Sequence, residues 1–303
     1  PFTEIRVPSG AMANLFAFMA CSRPGDAIIV PPASIGGHVT HHSPGAAGLY
    51  GLTVHEAPVD PERYTINPVA LAELAERVQP AMITVGGSLN LHHHPVAEIR
   101  SIADSVGATV LFDAAHLSGL IAGGAWPDPL AAGAPVMTMS TYKSLAGPPA
   151  GLLHTTDAAI AERVDAIAFP GMTANFDVAK SAALVLTLLD WKHCGQAYAT
   201  AMRAAADTLA ASLTSAGAPV WQADGSAGSS HAFALDAREL GGGTELAQRL
   251  RHANLLASAI GLPVGHAEGD PAPGLRIGTN EIVRWGMTAS HMPELAALIA
   301  CAI

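Results

Sequence analysis

Ser140-Thr-Tyr-Lys-Ser-Leu-Ala-Gly-Pro148 follows an apolar run and carries Lys143, one of only three lysines among 303 residues. Thirty residues upstream, a second apolar run, Ala-Thr-Val-Leu-Phe, ends in Asp113 of Leu111-Phe-Asp-Ala-Ala-His116. A lysine amine can form a Schiff base with an aldehyde, and an aspartate can keep a pyridinium nitrogen protonated. Pyridoxal phosphate chemistry needs both groups. The pairing therefore points to an enzyme using that cofactor. The competing readings are a surface lysine and an aspartate that caps the turn after it.

Both residues fall within an alternating pattern. Stretches 27–30, 53–57, 81–85, 109–113, 136–140 and 152–154 read as strands, and 11–21, 68–78, 95–106 and 158–167 as helices, the last behind Asp157 as N-cap. Such alternation implies an α/β fold: a largely parallel central sheet with helices on both faces. Ligands collect at the carboxyl ends of such strands, where Asp113 and the segment leading to Lys143 are expected. A long helical stretch covers 177–212, residues 217–219 break it, and the remainder reads as a smaller α+β unit with a strand at 231–235 and helices at 244–253 and 293–303. The expected division is a cofactor-binding domain over 1–195 and a small domain over 196–303.

Half of the residues are hydrophobic and 13% are charged, which is ample for a core. The net charge of −10, with lysine and arginine scattered singly, predicts no nucleic-acid or anionic-lipid partner. No apolar run reaches membrane-spanning length and the start lacks a secretion signal, so a cytoplasmic protein without membrane contact is expected. Cys21, Cys194 and Cys301 read as reduced thiols, mostly core filler.

Further residues carry chemistry. His116 lies three residues after Asp113 and would project on the same side of a helical turn, towards the cofactor's phenolic oxygen. Ser9-Gly10 opens an apolar helix, whose free amides and positive end suit a phosphate; a simple cap is the alternative. The tracts Gly36-Gly-His-Val-Thr-His-His42 and Leu91-His-His-His94 suggest a metal, yet no cysteine or carboxylate accompanies them at ligand spacing, so none is predicted. His38 is better used flat against an aromatic ring. Arg276, between glycines in Gly274-Leu-Arg-Ile-Gly278, suits a substrate carboxylate, with an ion pair to Glu281 as the alternative.

Taken together these motifs resemble serine hydroxymethyltransferase, a fold-type I pyridoxal phosphate enzyme. The matching stretches are 8–14, 36–41, 112–122, 140–148 and 275–279, with Phe169-Pro-Gly171 as a weaker sixth. The resemblance implies a Schiff-base Lys143, Asp113 at the pyridine nitrogen, His38 stacked on the ring, and Ser88 and His116 near the phenolic oxygen. It also implies Ser9, Gly10 and Ser140 around the cofactor, Arg276 on the carboxylate of a small amino-acid substrate, and a homodimer with shared sites. The chain departs from the family in five places. Tyr142 stands where the family has histidine, and Thr173-Ala-Asn175 replaces a glycine pair. Ala33 and the loop 265–273 differ where tetrahydrofolate would bind. The family's catalytic glutamate and tyrosine precede the phosphate turn, whereas this sequence begins eight residues before Ser9. The expected activity is serine–glycine interconversion by Cα–Cβ cleavage, with folate-independent cleavage of α-methylserine or threonine as the alternative. An aminotransferase and an inactive homologue are also open. His38 and Tyr142 are the candidates for taking the hydroxyl proton.

Overall fold

In the computed structural model, which describes residues 1–264 and 272–303, the chain opens with β1 (Phe2–Val7), α1 (Gly10–Cys21) and β2 (Ala27–Val30). A short α2 (Ala46–Leu49), β3 (Thr53–Glu56) and the hairpin β4 (Val59–Asp60) and β5 (Thr65–Ile66) follow. Next come α3 (Pro68–Val78), β6 (Met82–Gly86), α4 (Val96–Val106), β7 (Thr109–Asp113) and α5 (Ser118–Ala122). β8 (Val136–Ser140), β9 (Gly151–Thr155) and α6 (Ala158–Ala166) complete this part. Seven strands form one sheet in the order β1-β9-β8-β7-β6-β2-β3. It is parallel from β8 to β3 and antiparallel where β9 meets β8 and β1.

The local causes are readable. Asn67 caps α3 through its side chain with Pro68 at the first turn, and Asp157 caps α6 through two amides. Gly107 ends α4 in the left-handed conformation. Successive residues of the buried strands feed opposite faces. Ile29, Ile83, Val110 and Phe112 join one core, while Ile28, Met82, Leu111 and Val136 join the other with Phe16 and Phe18 of α1. The six strands expected from the sequence all form. β1 was not foreseen: its outward residues Phe2 and Ile5 stay exposed, so it lacks the buried-run signature, and only pairing with β9 makes it a strand.

α7 (Val178–Ser215) then runs unbroken for 38 residues. Residues 195 and 196 lie in the middle of it. Ala199 and Met202 pack on the large core, whereas Ala205, Leu209 and Leu213 pack on a separate one. That second core is built from β10 (Ala232–Asp236), α8 (Gly243–His252), β12 (Gly274–Gly278), α9 (Asn280–Arg284) and α10 (Met292–Ala302), while β11 (Ser258–Ile260) sends Ile260 into the large core. The three strands form an antiparallel sheet in the order β10-β12-β11. No helix among the described residues is long and apolar enough to cross a membrane. All three cysteines are free thiols, but Cys194 and Cys301 are exposed, which corrects their reading as core filler. Because β2, β6, β7 and β8 run parallel, their carboxyl ends meet along one edge of the sheet, and the site lies there.

Candidate active site

Lys143 sits in a turn clamped from three directions. From β9, Ala150 N donates to Thr141 Oγ1 at 2.9 Å, and Thr141 N donates back to Ala150 O at 3.0 Å. From the β7–α5 turn, His116 O accepts from Ser144 Oγ at 2.6 Å, while Ser144 Oγ accepts from Gly119 N at 3.0 Å. From α7, Trp191 Nε1 donates to Leu145 O at 2.7 Å. A flexible side chain thus stands on a rigid base. Burial pushes the Lys143 amine below its ordinary range; Asp113 opposes the shift and Arg276 adds to it. A less protonated amine is the form that attacks an aldehyde.

Asp113, at the end of β7, is buried and accepts three hydrogen bonds. Asn14 Nδ2 and His41 Nε2 reach Oδ2 at 3.0 and 2.9 Å, and Ala115 N reaches Oδ1 at 2.9 Å. Burial alone would raise its pKa. The bond and charge of His41, the Ala115 amide and Asn14 outweigh burial and hold it well below the usual carboxylate range.

One cleft collects most of the expected residues: Ser9, Gly10, His38, Asp113, His116, Ser140, Tyr142 and Lys143 all line it, together with Asn14 and Gly87. Asp113 and Lys143 therefore face the same space. Ser9 caps α1 by accepting from Met12 N at 3.2 Å. At Gly10 a Cβ would overlap Ser140 Oγ, so glycine keeps the space between the helix start and β8 open. Tyr142 is half exposed at the mouth, where an adjoining cleft contains Trp285 and Arg284. Ser88 and Arg276 are not in this lining. Arg276 Nη1 donates to Ser88 O at 2.5 Å and lies 3.3 Å from His116 Nε2. Ser88 thus contributes its carbonyl, and Gly87 takes the place expected for it in the lining. Burial, then Lys143 and Arg276, hold His116 well below its ordinary pKa, so it is neutral. Among the described residues Arg276 makes no ion pair, and the alternative partner Glu281 is not used.

A cofactor with a phosphate, an aldehyde and a ring nitrogen fits this donor set. An open helix start meets the phosphate, an amine of lowered pKa the aldehyde, and a buried carboxylate the nitrogen. The histidine tracts have other tasks. His92 Nε2 bonds Ala223 O at 2.7 Å, His94 Nε2 bonds Asn90 Oδ1 at 2.8 Å, and His93 packs edge-on against Trp126. Sequence reasoning missed Asn14 and His41. The available signals were their spacings, Asn14 four residues after Gly10 on one helix face and His41 three after His38. Of the loop 265–273, expected from the resemblance to face folate, residues 265–271 lie outside the described residues.

The profile of the family described as serine hydroxymethyltransferase matches residues 2–299. The chain belongs to the serine hydroxymethyltransferase family. It is 57% identical over 302 residues to a protein named alpha-methylserine aldolase from Variovorax paradoxus, covering 100% of this chain and 68% of that one. A protein of the same name from Ralstonia sp is 52% identical over 299 residues, covering 99% and 68%. A serine hydroxymethyltransferase from Methanopyrus kandleri is 38% identical over 298 residues, covering 98% and 69%. Enzymes of the serine hydroxymethyltransferase family use pyridoxal phosphate, and the chain is a pyridoxal phosphate enzyme of the hydroxymethyltransferase/aldolase type with the family's α/β fold.

Proposed function

We propose that this chain is a folate-independent aldolase that cleaves the Cα–Cβ bond of α-methylserine to alanine and formaldehyde. The observation that carries this reading is the 57% identity, along the whole chain, to a protein named for that activity. Serine–glycine interconversion with tetrahydrofolate is the second reading, supported by the family and by the Methanopyrus relative.

When bound, the cofactor supplies a ring that accepts the electron pair left at Cα as the bond to Cβ breaks. Ser9, Gly10 and Ser140 would hold its phosphate, and Lys143 would hold its aldehyde carbon. Asp113 would keep a proton at the ring nitrogen, and His38 would lie against the ring face. Arg276, with its Nη1 braced by Ser88 O, receives the substrate carboxylate. Fixing amine and carboxylate together would hold the scissile bond in one orientation, which is an orientation effect. His38 Nδ1 accepts from Thr40 N at 3.3 Å, so the proton of its neutral ring resides on Nε2. His38 accordingly offers a hydrogen bond to the substrate hydroxyl and is not the group that takes its proton.

The test is aldehyde release from α-methylserine, serine and threonine, each with and without tetrahydrofolate. Formaldehyde from α-methylserine at equal rates in both conditions is expected. Strict dependence on folate would favour the second reading. A keto acid in place of an aldehyde would indicate aminotransfer, a route closed to α-methylserine because its Cα carries no hydrogen.

The first half of α7 supports a homodimer as the working form. Val178, Val185, Leu186, Leu188 and Leu189 are all exposed, and Phe169, Met172 and Phe176 extend the same apolar character just before the helix. A helix apolar on every side is one that is covered. The family is generally oligomeric. Sedimentation should give about twice the 30.8 kDa of one chain; a monomer in the presence of cofactor would contradict the assignment.

A further inference from the structure

Asp113 has two oxygens, and its environment treats them differently. Oδ2 accepts from both Asn14 Nδ2 and His41 Nε2, at 3.0 and 2.9 Å. Oδ1 accepts only the Ala115 amide among the described residues, at 2.9 Å. Each carboxylate oxygen offers about two lone-pair directions. Oδ2 is therefore filled and Oδ1 has one direction left.

Asn14 is the hub of this arrangement. It is buried in the first turns of α1 and lines the cleft. Thr138 Oγ1, on β8, donates to its Oδ1 at 2.6 Å, which fixes the amide's orientation. Its Nδ2 then has two hydrogens, one for Asp113 Oδ2 and one for Thr40 Oγ1 at 3.0 Å. Thr40 Oγ1 in turn lies 2.8 Å from His38 Nδ1. Having accepted from Asn14, the Thr40 hydroxyl directs its proton to His38. With both Asn14 hydrogens committed, its 3.1 Å contact to His41 Nε2 is not a donation. The His41 proton sits on Nε2 and points at the carboxylate, because a bare nitrogen there would oppose Oδ2 lone pair to lone pair. Among the described residues His41 Nδ1 is buried without a partner.

We propose that Asn14 and His41 are positioning residues: they occupy both lone pairs of Asp113 Oδ2, so that Oδ1 is the oxygen that engages the cofactor's ring nitrogen and the carboxylate remains the charged partner. The inference rests on the cofactor reading above. Burial favours moving the ring proton onto Asp113, and the two donors oppose that transfer by stabilising the anion. The same amide, through Thr40, sets the tautomer of His38. One side chain thereby organises the groups at the ring nitrogen and at the ring face.

The experiment uses the holoenzyme loaded with cofactor carrying 15N at the ring position, with Asn14→Leu, His41→Leu, His41→Gln and Thr138→Val. Ring-nitrogen NMR reports where the proton sits, and α-methylserine kinetics report kcat and KM separately. In Asn14→Leu and His41→Leu the signal should move towards the unprotonated value, and kcat should fall at least tenfold with KM within threefold. His41→Gln, whose amide donates from the position of His41 Nε2, should restore both readouts. Thr138→Val keeps shape in a buried strand and releases the Asn14 orientation, so a two- to fivefold loss in the same direction is expected. A wild-type ring-nitrogen signal in the folded, loaded leucine variants would overturn the proposal. Should those variants not fold, an unchanged Thr138→Val would do so. A wild type that takes up no cofactor at all would sink the underlying reading instead, and the two failures are distinct.

Discussion

Replacing Lys143 with alanine is expected to abolish the visible absorption of the holoenzyme and to reduce aldehyde release by at least about 10³-fold. A covalently held cofactor has an effective molarity of roughly 10⁵ M or more in its site, and that advantage disappears with the amine. The other two lysines offer no replacement, because Lys180 and Lys192 both lie on α7 and neither lines the cleft. The fold should survive. The turn is fastened through Thr141, Ser144 and Leu145 O, and the lost amine was disfavoured in its charged form by burial. Absorption spectra after incubation with pyridoxal phosphate, read beside a thermal melt, decide the matter. A stable variant that stays coloured and active would remove Lys143 from the mechanism.

The second large effect is expected at Asp113. Asp113→Asn has the same shape but replaces a charged acceptor with a neutral amide facing three donors. One of those donors must oppose the amide NH2, and no anion remains for the ring nitrogen. Removing one partner of a buried pair costs about 3–5 kcal/mol, which corresponds to a kcat loss of roughly 10²- to 10⁴-fold. The pH behaviour of the apoprotein gives an independent check. The folded Asp113 carboxyl is held below its unfolded value, because His41, the Ala115 amide and Asn14 together outweigh burial. Its contribution to stability is complete above the ordinary carboxylate pKa of about 4 and is lost as pH falls through the depressed folded value. The advantage in melting temperature over Asp113→Asn should therefore be full at pH 7 and shrink below about pH 4. A constant difference across that range would mean that Asp113 is not held as an anion in the fold.

Much of this was legible in the chain itself. Runs without polar alternation, such as Thr-Val-Leu-Phe before Asp113, can only be strands covered on both faces, and the helices between them then force parallel crossovers. Once the strands are parallel, an aspartate that ends one and a lysine just beyond another must share an edge. Rarity helped too: with three lysines in the chain, one set in a Ser/Thr/Gly turn was conspicuous. β1 was not legible, because an edge strand with exposed Phe2 and Ile5 looks like any irregular terminus until β9 lies beside it. Nor was the extent of α7, since helical periodicity continues across the change from one core to the other without marking it.

Local sequence determined the elements, the direction of the sheet and the choice of Lys143 and Asp113 as candidate groups, because hydrophobic patterning and side-chain chemistry act over a few residues. Tertiary structure decided which neighbours those groups acquire. Asn14, His41 and Thr138 come from a helix, a loop and a strand far apart in the chain, and they converge around Asp113. Ser88 O and His116 Nε2 both come within reach of Arg276 Nη1. A hydrogen bond depends on tenths of an ångström and on the direction of a lone pair, and residue spacing along a chain encodes neither.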